Sequence, residues 1–140
     1  NLLEYYVLGT YSGVRSPSEL VSTGYIFILP AVFFFFLQRK RLNFKKYSIS
    51  VDNETFIRAI EVTAKELKWT VNKKSNNFIR AHRSWNWTGS WGEMITIIKD
   101  KDSLMINSIC DPNAYFASIA SYGWNRRNIN TFIKNIETSN

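Results

Sequence analysis

His82 and Cys110 are the only histidine and the only cysteine in this 140-residue sequence, so they are the one place where a thiolate and an activating imidazole could be paired. One residue of each type cannot supply the several nitrogen and sulfur ligands of a zinc site. Both lie on stretches that read as strands, and neither sits in a local nucleophile signature; the expectation is a small cysteine at a strand end and a histidine on a strand surface. The carboxylates point the same way. Asp100 and Asp102 alternate with Lys99 and Lys101 at a hairpin tip, Asp111 precedes Pro112 in an Asx-type turn, and no glycine-rich phosphate loop accompanies them. No enzyme activity, metal or cofactor is expected.

The segment from Arg80 to Gly92 offers a different chemistry. It interleaves Arg80, His82 and Arg83 with Trp85, Trp87 and Trp91, among short polar residues and glycines. Aromatic and cationic groups in alternation can anchor a protein partner, seat a loop in the interfacial zone of a bilayer, or hold a ligand. They can also simply close the open end of a small sheet. Asn86-Trp87-Thr88 matches a glycosylation acceptor, which would require the secretory side of a membrane. A second cluster, Tyr122 to Asn128, places Arg126 and Arg127 in the first turn of a helix, where they oppose the helix dipole and favour an anion supplied from elsewhere. The competing assignment leaves these arginines solvated, with Asn125 or Asn128 capping the helix. The candidate binding residues are therefore Trp85, Trp87, Trp91, Arg80, Arg83, Arg126 and Arg127.

These residues belong to the second half of a chain with two regimes. Leu20 to Gln38 is a run of nineteen residues without a formal charge. As a helix it is about 28 Å long, against about 30 Å for a bilayer's hydrocarbon core. Ser16-Pro17-Ser18-Glu19 opens it with a capping box and a proline at the first helical position. A signal peptide would carry its charges before a shorter apolar core and small residues after it; here Phe33 to Phe36 occupies the end, and Arg39, Lys40, Arg41, Lys45 and Lys46 come next. Residues 16–38 thus read as a transmembrane helix and 39–46 as a basic juxtamembrane segment facing lipid headgroups. Residues 1–15, rich in Leu and Tyr, read as an interfacial segment or the end of an earlier membrane helix. The basic cluster puts residues 47–140 in the cytoplasm by the positive-inside rule. It also accounts for most of the net charge of +7: residues 47–140 hold twelve Lys and Arg against nine Asp and Glu, or +3, so nucleic acid is not an expected partner.

Residues 47–140 read as an α+β domain in two layers. A strand at Tyr47–Val51 precedes a helix from Asp52 or Asn53 to Lys68, with Phe56, Ile60, Ala64 and Leu67 on one stripe. Further strands are expected at Trp69–Lys73, Phe78–Arg83, Glu93–Lys99 and Leu104–Cys110. A last helix begins near Asn125 and carries Ile129, Phe132, Ile133 and Ile136 at helical spacing. The order β-α-β-β-β-β-α predicts a mainly antiparallel sheet with both helices on one face.

The strand Ile106-Asn107-Ser108-Ile109-Cys110, followed by Ser121-Tyr122-Gly123-Trp124-Asn125-Arg126-Arg127-Asn128-Ile129, resembles an uncharacterised bacterial family of small α+β domains. In that family a serine-bearing last strand leads through a glycine-asparagine turn into the final helix; its turn Asp is replaced here by Tyr122 or Trp124. With the apolar span, the whole chain is similar to short bacterial membrane proteins. The resemblance implies a fold and no activity. The combined expectation is a bacterial inner-membrane protein whose cytoplasmic domain binds membrane lipids and a membrane-protein partner as an accessory or regulatory subunit, or, alternatively, senses a small ligand or lipid headgroup.

Overall fold

The computed structural model describes residues 3–85, 87, 90–114 and 121–139, which fall into two units, residues 1–41 and 42–140. In the first, a π-helical turn at Glu4–Leu8 precedes α1, Pro17–Arg41. The expected capping box is formed: the Glu19 carboxylate accepts the Ser16 N–H at 2.9 Å, and the Glu19 N–H reaches the Ser16 hydroxyl at 3.4 Å. The helix continues through Pro30 and ends on Arg39, Lys40 and Arg41. Ser18–Arg41 is long and apolar enough to cross a membrane, and only 6% of its most apolar stretch is buried within the protein. Apolar side chains surround it, with Phe33, Phe34, Phe35 and Phe36 all exposed.

The second unit is the α+β domain. Its elements are β1 (Lys45–Tyr47), α2 (Asn53–Leu67), β2 (Trp69–Lys74), β3 (Phe78–Ser84), β4 (Gly92–Lys99), β5 (Leu104–Cys110) and α3 (Trp124–Ser139). The five strands form an antiparallel sheet in the order β1-β5-β4-β3-β2. One departure from the sequence expectation is β1. Expected at Tyr47–Val51, it pairs instead at Lys45–Tyr47, because Tyr47 already lies opposite Leu104, where β5 begins. Ile49 and Val51 lie beyond the ladder, where the Ile49 N–H donates to the Tyr47 carbonyl at 3.0 Å, and they still reach the core. Lys45 and Lys46, assigned from sequence to the basic segment, are therefore strand residues.

Alternation sorts the sheet into two faces. Ile79 and Ala81, Ile95 and Ile97, and Leu104 and Ile106 point to the helix side and are fully buried against Phe56, Ala59, Ile60, Phe132 and Ile136 of the two helices. Phe56 and Phe132 meet edge to face with ring centroids 6.2 Å apart. The other face, carrying Phe78, Met94, Ile98, Met105 and Ile109, is half-buried, with no helix against it among the described residues. The exposed edge β2 is broken by an extra residue between Val71 and Lys73 and carries Lys73 and Lys74, features that discourage pairing with another sheet.

Helix α2 begins where a cap dictates. The Asp52 carboxylate accepts the N–H groups of Glu54 at 2.7 Å and Thr55 at 2.9 Å, satisfying two donors that the helix itself leaves unpaired. The bonds from Thr55 first, and from Glu54, hold this carboxyl below its ordinary pKa. A lowered folded-state pKa stabilises the fold fully above the ordinary carboxylate range, and the contribution is lost as the pH falls through the lowered value. Asp52→Asn, which caps without a charge, is expected to flatten that part of the acid dependence. The check is the urea midpoint against pH in detergent, followed by tryptophan emission, since all five tryptophans lie in this unit.

Candidate functional site

One end of the sheet, where β3 leaves at Ser84, β4 enters at Gly92 and β5 ends at Cys110, gathers most of the singled-out residues. On the helix side its last row runs Trp69, Arg83, Glu93, Cys110 across four paired strands. The row behind it, Val71, Ala81, Ile95 and Ser108, leads into the apolar core. Glu93 shares the inward parity of Ile95 and Ile97, so its carboxylate is carried into the protein and is fully buried.

Such a group needs partners. The Arg83 guanidinium, directly opposite in the register, donates to it at 3.1 Å with only 7% of its side chain exposed. The buried Ser90 hydroxyl donates to its second oxygen and also accepts the Gly92 N–H at 3.3 Å. Arg83 lies over the Trp124 ring, its guanidinium carbon 3.4 Å from the centroid, and that of Arg127 is 4.7 Å from the same centroid. A second polar chain ties α3 to the sheet: Trp69 Nε1 donates to Asn128 Oδ1 at 3.2 Å, Asn128 Nδ2 to Ser108 Oγ at 3.0 Å, and Ser108 Oγ to Asn125 Oδ1 at 3.1 Å. Gly92 has φ +120°, and a Cβ there would lie 2.9 Å from the Arg83 carbonyl oxygen, so the return into β4 requires glycine.

Around this buried framework the surface is aromatic and basic. Trp87 is 90% exposed and Trp85 58%; Trp85 and Trp91 stand with ring centroids 6.4 Å apart. Tyr122, Lys68, Arg126 and Arg127 are exposed at the same end. A cavity of about 480 Å³ opens between the end of α2, β3 and the start of α3, lined by Lys68, Arg83, Trp85, Trp124 and Arg127 together with Glu66.

The structure divides the sequence candidates. Trp85, Trp87, Trp91, Arg126 and Arg127 meet at this end. Arg80 lies apart, exposed on the open face of the sheet and 5.7 Å from the Phe78 ring centroid. Arg83 is corrected from a surface anion contact to a buried ion-pair partner, because Glu93 faces it across the register. His82 and Cys110 are not brought together: His82 is in register with Met94 and Ile109, on the face opposite to Cys110. Asn128, weighed as a cap, is a buried cross-link. Asp111 does form its turn, accepting the Asn113 N–H at 2.9 Å. Asn86 and Thr88 of the acceptor pattern lie outside the described residues, and among the described residues no three His, Cys, Asp or Glu side chains cluster as a metal site. The roles of Glu93 and Ser90 were missed from sequence. The available signal was an acid at an inward strand position.

Neither protein-family models nor curated proteins give a match to this chain.

Removing one partner of a buried ion pair leaves the other charge uncompensated, at a cost of about 3–5 kcal/mol. Arg83→Met is expected to lower unfolding stability on that scale, and adding Glu93→Leu to recover a large part of the loss. Urea unfolding of both variants in detergent checks this; equal stability of Arg83→Met and the parent would show the pair to be dispensable.

Proposed function

We propose that this chain is a membrane-anchored binding protein, an accessory or regulatory subunit of a bacterial inner-membrane complex, with α1 as its anchor and residues 42–140 as a cytoplasmic binding domain. The observation that carries the reading is the assembly of Trp85, Trp87, Trp91, Arg126 and Arg127 at one end of a unit that comes directly after a long apolar helix. Exposed tryptophan and arginine are the residue types that most often anchor contacts. The orientation rests on Arg39, Lys40, Arg41, Lys45 and Lys46 against the single Arg15 before the span. The resemblance to short bacterial membrane proteins supports the source.

A second reading, a sensor of a lipid headgroup or small anion, is favoured by the cavity lined by Lys68, Arg83, Trp85, Trp124 and Arg127. A ligand held there only in the folded state would raise the unfolding temperature.

Two measurements test the proposal. The chain is expected to remain in the membrane pellet after an alkaline carbonate wash; release into the supernatant would contradict the anchor. Gentle detergent extraction at native expression level is expected to recover one membrane protein in constant ratio with it. Recovery of the chain alone, with thermal stabilisation by glycerol phosphate, would favour the sensor over the subunit.

A further inference from the structure

Seven large apolar side chains are exposed on the second unit among the described residues: Leu42, Phe44, Val62, Trp85, Trp87, Trp91 and Tyr122. Val62 lies on α2; the other six share one end of the domain or the segment that enters from it. The register shows why. Lys45 pairs with Ile106 and Tyr47 with Leu104, so β1 runs away from the end where β5 finishes. Asn107 Nδ2 fixes the entering chain by donating to the Leu42 carbonyl at 2.8 Å. The chain therefore arrives from α1 at the end that bears Trp85, Trp87, Trp91 and Tyr122.

We infer that this end of the domain is a bilayer-docking surface, in which the tryptophans and Tyr122 insert at the headgroup level of an anionic membrane. The inference rests on α1 being a membrane anchor, as proposed above, and takes lipid as the occupant of the loop end; a protein partner seated there instead would leave the tryptophan emission unquenched by lipid. Three residues, Leu42, Asn43 and Phe44, separate α1 from β1, a link that reaches at most about 14 Å from Arg41 to Lys45. Tryptophan and tyrosine are the side chains enriched where hydrocarbon meets water, since each joins an apolar ring to a polar N–H or O–H. Charge is arranged to match. Lys68, Arg126 and Arg127 are exposed beside the aromatics, whereas Lys45 and Lys46 lie farther along the sheet, level with Ile106 and Met105; of the acids at this end, Glu93 is paired with Arg83, and Glu66 and Asp111 keep their charge while accepting from Asn135 and the Asn113 N–H. The opposite end carries none of the tryptophans, and its charge is mixed: Asp52, Asp100 and Asp102 stand among Lys74, Lys99 and Lys101, and Glu54 is paired with Arg58. Only one end of the sheet therefore joins exposed tryptophan rings to exposed cations, the combination suited to an anionic headgroup layer.

The test uses the full chain reconstituted into phosphatidylcholine–phosphatidylglycerol vesicles with brominated acyl chains, which quench tryptophan on contact. No tryptophan lies in α1, so the emission reports on the domain alone. The expected result is flotation of the protein with the vesicles and loss of most of the exposed-tryptophan emission, with weaker quenching in phosphatidylcholine alone. Trp87→Phe, at a position too exposed to disturb folding, is expected to remove part of the quenchable emission, and Trp85→Phe/Trp87→Phe/Trp91→Phe nearly all of it. Flotation with unquenched emission would overturn the docking surface while the anchor stands. Failure to float would overturn both, and undiminished quenching in the triple variant would place the contact elsewhere.

Discussion

A carboxylate buried at the margin of a small apolar core sets the terms for the rest of this domain. Glu93 is carried inward by the same alternation that buries Ile95 and Ile97, and burying an unpaired charge would cost several kcal/mol. Arg83 must therefore face it, Ser90 must fold back over it, and Gly92 must turn sharply enough to bring Ser90 there. Arg83 in turn lies against Trp124, which positions the first turn of α3, while Asn128 links that helix to Trp69 and Ser108. The ends of β2, β3, β4 and α3 are thus coupled through a few polar contacts. Such a network favours one arrangement of a loop region that hydrophobic packing alone would leave loosely specified.

The same framework explains why the aromatics are outside. With the inward row taken by Trp69, Arg83 and Glu93, Trp85 and Trp87 have no core to enter, and they stay largely exposed. A domain of this size can bury Phe56 and Phe132 completely, so the exposure of three tryptophans is a property of where they sit and not of a lack of interior. Their position at the entry end of the sheet, with Lys68, Arg126 and Arg127 beside them, sets it apart from the far end, which has no tryptophan and mixes Asp52, Asp100 and Asp102 with Lys99 and Lys101. That polarity links the long apolar helix, the fold and the proposed binding role in one physical account.

The fold was largely legible because its signals are local and repeated. Asp52 announces α2, the alternation in Leu104–Cys110 matches the strand residue for residue, and the spacing of Ile129, Phe132 and Ile136 defines the buried stripe of α3. β1 was misplaced because Tyr47, Ile49 and Val51 all reach the core, so alternation continues past the point where a partner strand exists to bond. The candidate site was legible only in part. Residue type identified Trp85, Trp87, Trp91, Arg126 and Arg127 as a group, but the fate of Arg83 depended on which residue the register placed across from it, and that is information no single strand contains. Asn128 illustrates the same limit: an asparagine near a helix start reads as a cap, and only the packed sheet turns it into a buried cross-link.

The central claim is that the two poles of the sheet meet different surroundings in a bilayer. It is tested most directly by spin labels placed one at a time at Trp87→Cys and Lys101→Cys, in a Cys110→Ser background, on the full chain in phosphatidylglycerol-containing vesicles. The account predicts that the label at 87 collides readily with lipid-soluble oxygen and little with an aqueous nickel chelate, and that the label at 101 does the reverse. Equal, water-like accessibility at both positions would contradict it.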